Sequence, residues 1–352
     1  MIPHSRPSIA PSDIAAVAST LKEGMIGEGE RTAELERTIA AAHGVAGAVA
    51  CGSGCQALWL ALGALGIGSG DEVILPGYLC PEVSETIRRI GASPVAVDVG
   101  TDWHLDADRA ARGKTSRSAA VIAPRLFGHA RDFSDLRRLG LPIIEDWAQF
   151  AHPEPQRLAP TVGDIVFLSF EATKVLTAGE GGLAFTTDLR LLARMRRAKR
   201  IGATAVRFNL TPLSDLQAAL AVAQWRRLPA MLARRRILAG RYLHAIQDLP
   251  GIVAPSDDFL SRATHFRLPL RLDLRSMAEG DRMMARFAAA GVAVRRPVAA
   301  LLAPARAVPT AARLLRQTLS LPLYPALSDA DQGKVIAAAR SILAGRQPFD
   351  GA

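Results

Sequence analysis

In the stretch LSFEATKVLTAGEGGLAF, residues 168–185, a lysine stands between an apolar run and a Gly-Glu-Gly-Gly turn. Lys174 is one of only five lysines in a chain whose positive charge otherwise comes from arginine. Most lysines are solvated surface cations. A lysine whose surroundings lower its pKa is also a nucleophile toward carbonyl carbon, and so a candidate for Schiff-base chemistry. The neighbours that could share such chemistry decide between the two. Asp146 ends the apolar run LPIIED, and strand ends are where open α/β sheets hold ligands. A lone aspartate there is usually a cap or a surface residue. Here Ala148 and Gln149 follow it in EDWAQF, and Ser169 lies five residues before Lys174.

Upstream, ACGSGCQALWLAL places Gly52-Ser53-Gly54 between a strand-like and a helix-like segment. Backbone amides at such a helix start, unobstructed by side chains, form an anion site. Gly52, Gly54 and Ala57 also satisfy G-x-G-x-x-A formally, but the dinucleotide pattern needs an acid at the end of the following strand. Asp71 and Glu72 precede VIL instead, and that strand ends in Pro76-Gly77. The phosphate site therefore stands without the dinucleotide. An amine, a carboxylate, a hydroxyl and a phosphate cradle together suit pyridoxal 5'-phosphate (PLP). Its aldehyde needs an amine, and its ring nitrogen needs an anion that keeps it protonated so the ring can accept carbanion electrons.

The elements that must position these groups follow from the periodicity. PSDIAAVASTLKEG predicts a helix capped by Ser12, with Ile14, Val17 and Leu21 on one face and Gly24 near its end. VAGAVA, DEVILP, SPVAVDV, AAVIAP and LPIIED read as strands. CQALWLALGALG, PEVSETIRRIG (Pro81 at its start, Gly91 after it) and DFSDLRRLG read as the helices among them. Short, nearly all-apolar strands alternating with helices predict an α/β fold, a mainly parallel sheet covered on both faces. GDIVFLSF and GGLAFTTD form a hairpin-like addition. A helical stretch from Ser214 towards Asp248, interrupted at Pro229, divides the chain into a large domain, residues 1–229, and a smaller C-terminal α+β domain, residues 230–352. In the latter THFRLPLRLDL is a strand, and MMARFAAAG and DADQGKVIAAARSIL are helices.

Composition narrows the class. At 352 residues and 49% hydrophobic, the chain has ample material for two cores. No apolar run approaches the roughly 20 residues of a membrane span, and the start MIPHSRPSIAPSD lacks the apolar segment of a signal peptide. A cytoplasmic protein without a membrane partner is expected. Cys51, Cys55 and Cys80, an odd count without a partner cluster, argue against a disulfide framework and against a metal site. The net charge of +10 raises nucleic-acid binding, but RMRRAKR and Arg234 to Arg236 fall in helix-like segments without interleaved aromatics. An anionic small substrate such as a nucleotide diphosphate fits the charge equally well.

These motifs, in this order, make the chain resemble the DegT/StrS-type PLP-dependent sugar aminotransferases, within the aspartate-aminotransferase fold (fold type I). The similarity runs through IPHSRPSIAPSDIAAV, GSGCQALWLALGALGIGSGDEVILP, GASPVAVDV, IIEDWAQ, GDIVFLSFEATKVLTAGEGG, DLQAALAVAQ and LSLPLYPALSD. The resemblance implies that Lys174 is the Schiff-base lysine and proton shuttle, and that Asp146 pairs with the pyridine nitrogen. It further implies Gln149 near the ring hydroxyl and Ala148 against a ring face. Gly54, Cys55 and Ser169 would hold the phosphate, and Asn209 would reach the phosphate of a neighbouring subunit's cofactor, which implies a homodimer. The implied reaction takes an amino group from a donor, glutamate, to a keto-sugar nucleotide or related cyclic ketone.

Three departures from the family pattern stand out: Cys55 where threonine is usual, Cys80 where an aromatic stacks on the cofactor, and VRRPVAALLAPARAVP in place of a histidine-bearing substrate segment. NLTPLSDLQ is also one residue longer than usual. Two alternatives remain at this level, a PLP-dependent sugar dehydratase, in which histidine replaces the lysine, and a PLP-binding regulator without turnover.

Overall fold

The computed structural model describes residues 1–202 and 210–344. Seven strands build the main sheet: β1 (Gly47–Cys51), β2 (Glu72–Pro76), β3 (Ser93–Val97), β4 (Ser118–Pro124), β5 (Ile143–Asp146), β6 (Ile165–Ser169) and β7 (Gly182–Thr186). Their order is β1-β7-β6-β5-β4-β2-β3. β7 runs antiparallel to both β1 and β6, and every other pairing is parallel. The hairpin-like pair is thus β6 and β7, in a register that sets Ser169 opposite Gly182.

Strands β2, β5 and β7 are buried along their whole length, and the edge strand β3 is partly exposed. Burial on both faces explains the unbroken apolar runs. In β1, Val49 and Cys51 join the core containing the helix Gly54–Ala64, whereas Ala48 and Ala50 join the core containing Leu35, Ile39 and Trp225. The two-residue alternation of a strand thus feeds two layers of helix.

The helix Asp215–Ile246 ties this layer to the C-terminal part. Ser214 caps it reciprocally with Gln217, and Asp215 reaches across to accept hydrogen bonds from the amides of Gly29, Arg31 and Thr32 at the start of the helix Glu30–His43 (2.8, 3.1 and 3.0 Å). The expected interruption at Pro229 does not occur: the helix runs through it. An interior proline costs about 3 kcal/mol because it cannot donate to the carbonyl four residues back. Pro229 is on the exposed side, while Trp225, Leu228 and Met231 are buried. Each such side chain returns about 1.5–3 kcal/mol, so packing outweighs the break. Further along, Leu238, Tyr242 and Ile246 enter a separate core. That core covers a small antiparallel sheet of β8 (Ile252–Val253), β9 (Pro269–Leu272) and β10 (Thr318–Ser320).

Two further expectations are corrected. The first helix begins at Pro11, and Asp13, not Ser12, satisfies its start by accepting the Ala10 amide hydrogen (2.8 Å). DFSDLRRLG forms only a short 3-10 turn, Ser134–Leu139, because Gly140 in the left-handed region ends it after six residues. No helix among the described residues is long and apolar enough to cross a membrane.

Candidate active site

The sheet delivers several strand ends to one place. β1 ends at Cys51, and the chain turns through Gly52, whose amide donates to the Thr211 carbonyl (2.9 Å) and the Gln56 side-chain carbonyl (3.0 Å). Ser53 then caps the helix Gly54–Ala64, its hydroxyl accepting from the Gln56 amide (3.2 Å). The amides of Gly54 and Cys55, first in the helix, have no intrahelical partner and carry the positive end of its dipole. The approach of β6 and β7 here is tight. A Cβ on Gly54 would lie 2.8 Å from Ser169 Cβ, and one on Gly182 would lie 2.2 Å from the Ser53 carbonyl oxygen. Glycine at these two positions lets the helix start sit directly over the end of β6.

Ser169, at that end, accepts weakly from the Glu171 amide (3.4 Å), which leaves its hydroxyl hydrogen able to donate elsewhere. The turn that follows is organised by Glu171, whose carboxylate accepts from the Thr173 amide (3.1 Å) and hydroxyl (2.6 Å). It is closed by the Lys174 amide donating to the Glu171 carbonyl (3.0 Å). Lys174 Nζ stands 5.6 Å from the centre of the Phe266 ring and forms no ion pair among the described residues.

Asp146 ends β5. It is 6% exposed, and one carboxylate oxygen accepts from the Ala148 amide (2.8 Å). Burial raises its pKa to about 6, against the opposing pull of the Ala148 amide and the charge of Lys174. Gln149 turns its side-chain carbonyl to the amide of Phe127 (2.7 Å), so its NH2 group is left as a donor. Phe127 has a φ of 59°, and its ring packs edge-on against Trp103.

Gly54, Cys55, Asp146, Ala148, Gln149, Ser169 and Lys174 all line one cavity of about 350 Å³. Asn209 lies outside the described residues. Sequence reasoning did not single out Leu79, Glu82 or Phe167, which also line the cavity. It also missed the support behind Asp146. Arg125 and Glu145 form a fully buried ion pair (2.9 Å), and the same Glu145 oxygen accepts from the Trp147 indole (2.8 Å). The Arg125 amide donates to the Asp146 carbonyl (2.9 Å). The only sequence signal was two adjacent acids closing an apolar strand.

Cys80 caps the helix Pro81–Arg89, and its thiol donates to the Glu82 carboxylate. Partial burial and that carboxylate push the thiol pKa up to about 12, so it stays protonated at neutral pH. Tyr78 does not take the place of a stacking ring. Its side chain is wholly buried beside Phe127 and is not among those that line the cavity.

The cavity fits PLP on its own chemistry. A buried carboxylate whose ionised form is disfavoured, with no cation within ion-pair distance among the described residues, is suited to a protonated ring nitrogen. Amides at a helix start beside a serine hydroxyl are suited to a phosphate. The primary amine of Lys174 is suited to an aldehyde.

Comparison with known proteins agrees. The model of the DegT/DnrJ/EryC1/StrS aminotransferase family matches residues 7–340. The spore coat polysaccharide biosynthesis protein SpsC of Bacillus subtilis is 31% identical, over 98% of this chain and 97% of its own. The erythromycin biosynthesis sensory transduction protein EryC1 of Saccharopolyspora erythraea is 33% identical, over 93% and 94%. The solved structure of the aminotransferase TlmJ from Streptoalloteichus hindustanus is similar with a TM-score of 0.86 at 29% identity, covering 98% of this chain and 99% of that one. The chain therefore belongs to the DegT/DnrJ/EryC1/StrS family and is a PLP-dependent aminotransferase of fold type I.

Proposed function

We propose that this aminotransferase moves the amino group of L-glutamate to the ketone of a keto-sugar nucleotide or a related cyclic ketone, as a homodimer in the cytoplasm. The observation that carries the reading is the shared cavity of Lys174 and Asp146, with the helix start at Gly54 and Cys55 on its wall. The polysaccharide role in the name of the SpsC relative supports a sugar acceptor.

PLP, when bound, supplies an aldehyde carbon that primary amines exchange onto and a ring that takes up carbanion electrons. Lys174 would hold that carbon, and its Nζ, when free of it, would carry the proton between the donor α-carbon and the cofactor. Asp146 would keep a negative charge for the ring nitrogen, and the Gln149 NH2 group would be the donor for the ring oxygen. The Gly54 and Cys55 amides and the Ser169 hydroxyl would hold the phosphate, and Ala148 would leave room for a ring face. In this reading residues 1–229 are the cofactor-binding domain and 230–352 the small domain. Asn209 serves the partner subunit's cofactor. Ile14 (63% exposed) and Leu21 (54%), seven residues apart on one face of the first helix, support self-association through that face.

The test is a pair of half-reactions. PLP-loaded protein mixed with glutamate alone should lose the visible band of the lysine-bound cofactor and gain that of the amine form. The product protein should then aminate members of a panel of keto-sugar nucleotides and cyclitol ketones, identified by mass. If no amino acid shifts the band and no ketone gains an amine, the reading is wrong.

A further inference from the structure

Arg235 stands on the helix Asp215–Ile246 and is 3% exposed, yet no carboxylate lies within ion-pair distance of it among the described residues. A buried cation is costly unless something nearby answers its charge. Burial and the charge of Arg267 lower its pKa to about 9. Its answer is a set of backbone carbonyls: one guanidinium nitrogen donates to those of His265 (3.2 Å), Phe266 (3.4 Å) and Leu323 (3.1 Å). His265 has a φ of 51°, a conformation that side chains rarely adopt unless their surroundings impose it. On the other side of the bend, the Thr264 amide donates to the Gly128 carbonyl (2.8 Å) and the Arg267 amide to the Phe127 carbonyl (3.3 Å). The backbone of residues 264–267 is thus pinned from two directions.

What this bend fixes is the Phe266 ring. The ring is buried and belongs to the core of Leu168, Val175 and Leu176, the residues around the Lys174 turn. Lys174 Nζ stands over its face, 5.6 Å from the centre, and has no hydrogen bond or ion pair among the described residues. The Arg267 guanidinium carbon is 4.8 Å from the same centre, but Arg267 is anchored by the His4 ring (2.7 Å to Nδ1). The acids that line the cavity with Lys174 are Glu82, Asp146, Glu171 and Glu180. Any of them that paired directly with the amine could take its proton. An aromatic face attracts the ammonium through its quadrupole but cannot accept the proton. It suits an amine that must carry a proton and then give it up.

We propose that Phe266 is a positioning residue for Lys174, its ring face holding the amine in its proton-bearing form, and that Arg235 is the clamp that sets the ring. The proposal rests on the reading of Lys174 as the proton-carrying amine. Neither residue is among those that line the cavity, so both act through the lysine.

Trace acetylation of the cofactor-free protein with acetic anhydride tests it, because only a neutral amine reacts. Labelling of the Lys174 peptide, read by mass against the exposed Lys22, is compared at pH 7 and at pH 11, where amines are largely neutral. Phe266→Leu removes the ring face and keeps an apolar side chain. It should raise Lys174 labelling by about three- to tenfold at pH 7 and by much less at pH 11. Phe266→Tyr keeps a ring face and should label like wild type. Arg235→Met should move labelling in the same direction as F266L, and the two changes should not add in the double variant. Thermal melting at both pH values confirms that each variant is folded. Wild-type labelling in F266L, or a rise equal at both pH values, which reports access alone, overturns the proposal. A folded R235M that labels like wild type overturns the clamp. Should R235M not fold, R235K, which keeps the charge but loses the planar fork, takes its place with the same expectation. Borohydride trapping separates this inference from the reading beneath it. PLP trapped on Lys174, with F266L labelling like wild type, keeps Lys174 as the cofactor lysine and loses the ring. A pH-selective rise with PLP trapped on another lysine keeps the contact and loses its part in the reaction.

Discussion

Glu145 and Asp146 are adjacent acids at the end of β5, and the strand sends them to opposite sides. Glu145 meets Arg125, the Trp147 indole and the amides of Val162 and Gly163 (2.6 and 2.8 Å). Asp146 meets one protein amide and otherwise faces the cavity. The first charge is cancelled within the protein. The second waits for a partner from outside. The same contrast separates Arg125, paired with Glu145 and stacked over Trp147 at 4.6 Å, from Arg267, which has no carboxylate within ion-pair distance among the described residues. Glu145 and Arg125 are thus architecture, whereas Asp146 and Arg267, without an opposite charge among the described residues, each line a cavity.

The largest effect expected from breaking that contrast is at the amine itself. Lys174→Ala should lower transamination by roughly 10²–10⁴-fold or more, since it removes the proton-transferring group as well as the covalent link. Borohydride reduction of the wild-type holoenzyme should fix the cofactor on the peptide containing Lys174. A label on Lys199 or Lys114 would reassign the site.

Glu145→Gln tests the architectural half. It leaves Arg125 buried without its counter-charge, and breaking a buried pair from one side costs about 3–5 kcal/mol. The denaturation midpoint should fall accordingly. A variant as stable as wild type would show that the cation stacking and the Pro160 carbonyl, which accepts from Arg125 at 2.9 Å, suffice by themselves.

Asp146 should reveal itself through pH. Its folded pKa, about 6, lies above the unfolded value, so the folded state binds its proton more tightly. For a raised acid the sign is clear: the cofactor-free protein loses stability from this group as pH rises from about 4 to 6, by up to ~3 kcal/mol. A bound cationic ring nitrogen reverses that penalty. PLP should therefore raise the melting temperature more at pH 7.5 than at pH 5, and Asp146→Asn should flatten the difference. Equal gains for wild type at both values would rule out a charged pair at this position.

Much of the frame was legible because burial on two faces writes itself as apolar runs, and all the strands read from those runs are present in the main sheet. The candidate site was legible where chemistry and backbone coincide. Gly54, Asp146 and Ser169 each sit at a strand end or helix start, and Lys174 in the turn that follows β6, places that can be located from local sequence. What escaped depends on pairing at a distance. Gln149 finds the Phe127 amide across 22 residues, at a position whose backbone is left-handed. Arg267 meets His4 across 263 residues, a contact that no local pattern announces. At Pro229 the local signal for a break is outweighed by the core that the rest of the helix fills.

The smallest effect belongs to Cys80, where the comparison of paired and unpaired charges is sharpest because no charge is present. A thiolate beside Glu82 would put two negative charges on one rim of the cavity, and the raised thiol pKa prevents that. The protonated thiol donates to Glu82 at the exposed start of the helix Pro81–Arg89, so it occupies space and satisfies one carboxylate oxygen that water can satisfy equally well. Cys80→Ala should then change the glutamate half-reaction by less than about threefold and stability by no more than about 0.5 kcal/mol, as expected for a surface position. Cys80→Tyr carries the comparison further: a ring at this position should tighten PLP retention during dialysis if the rim faces the cofactor. A tenfold loss of rate in the alanine variant would mean that the thiol hydrogen holds Glu82 away from the reacting groups, and that the acid at the rim takes part in the charge balance of the site.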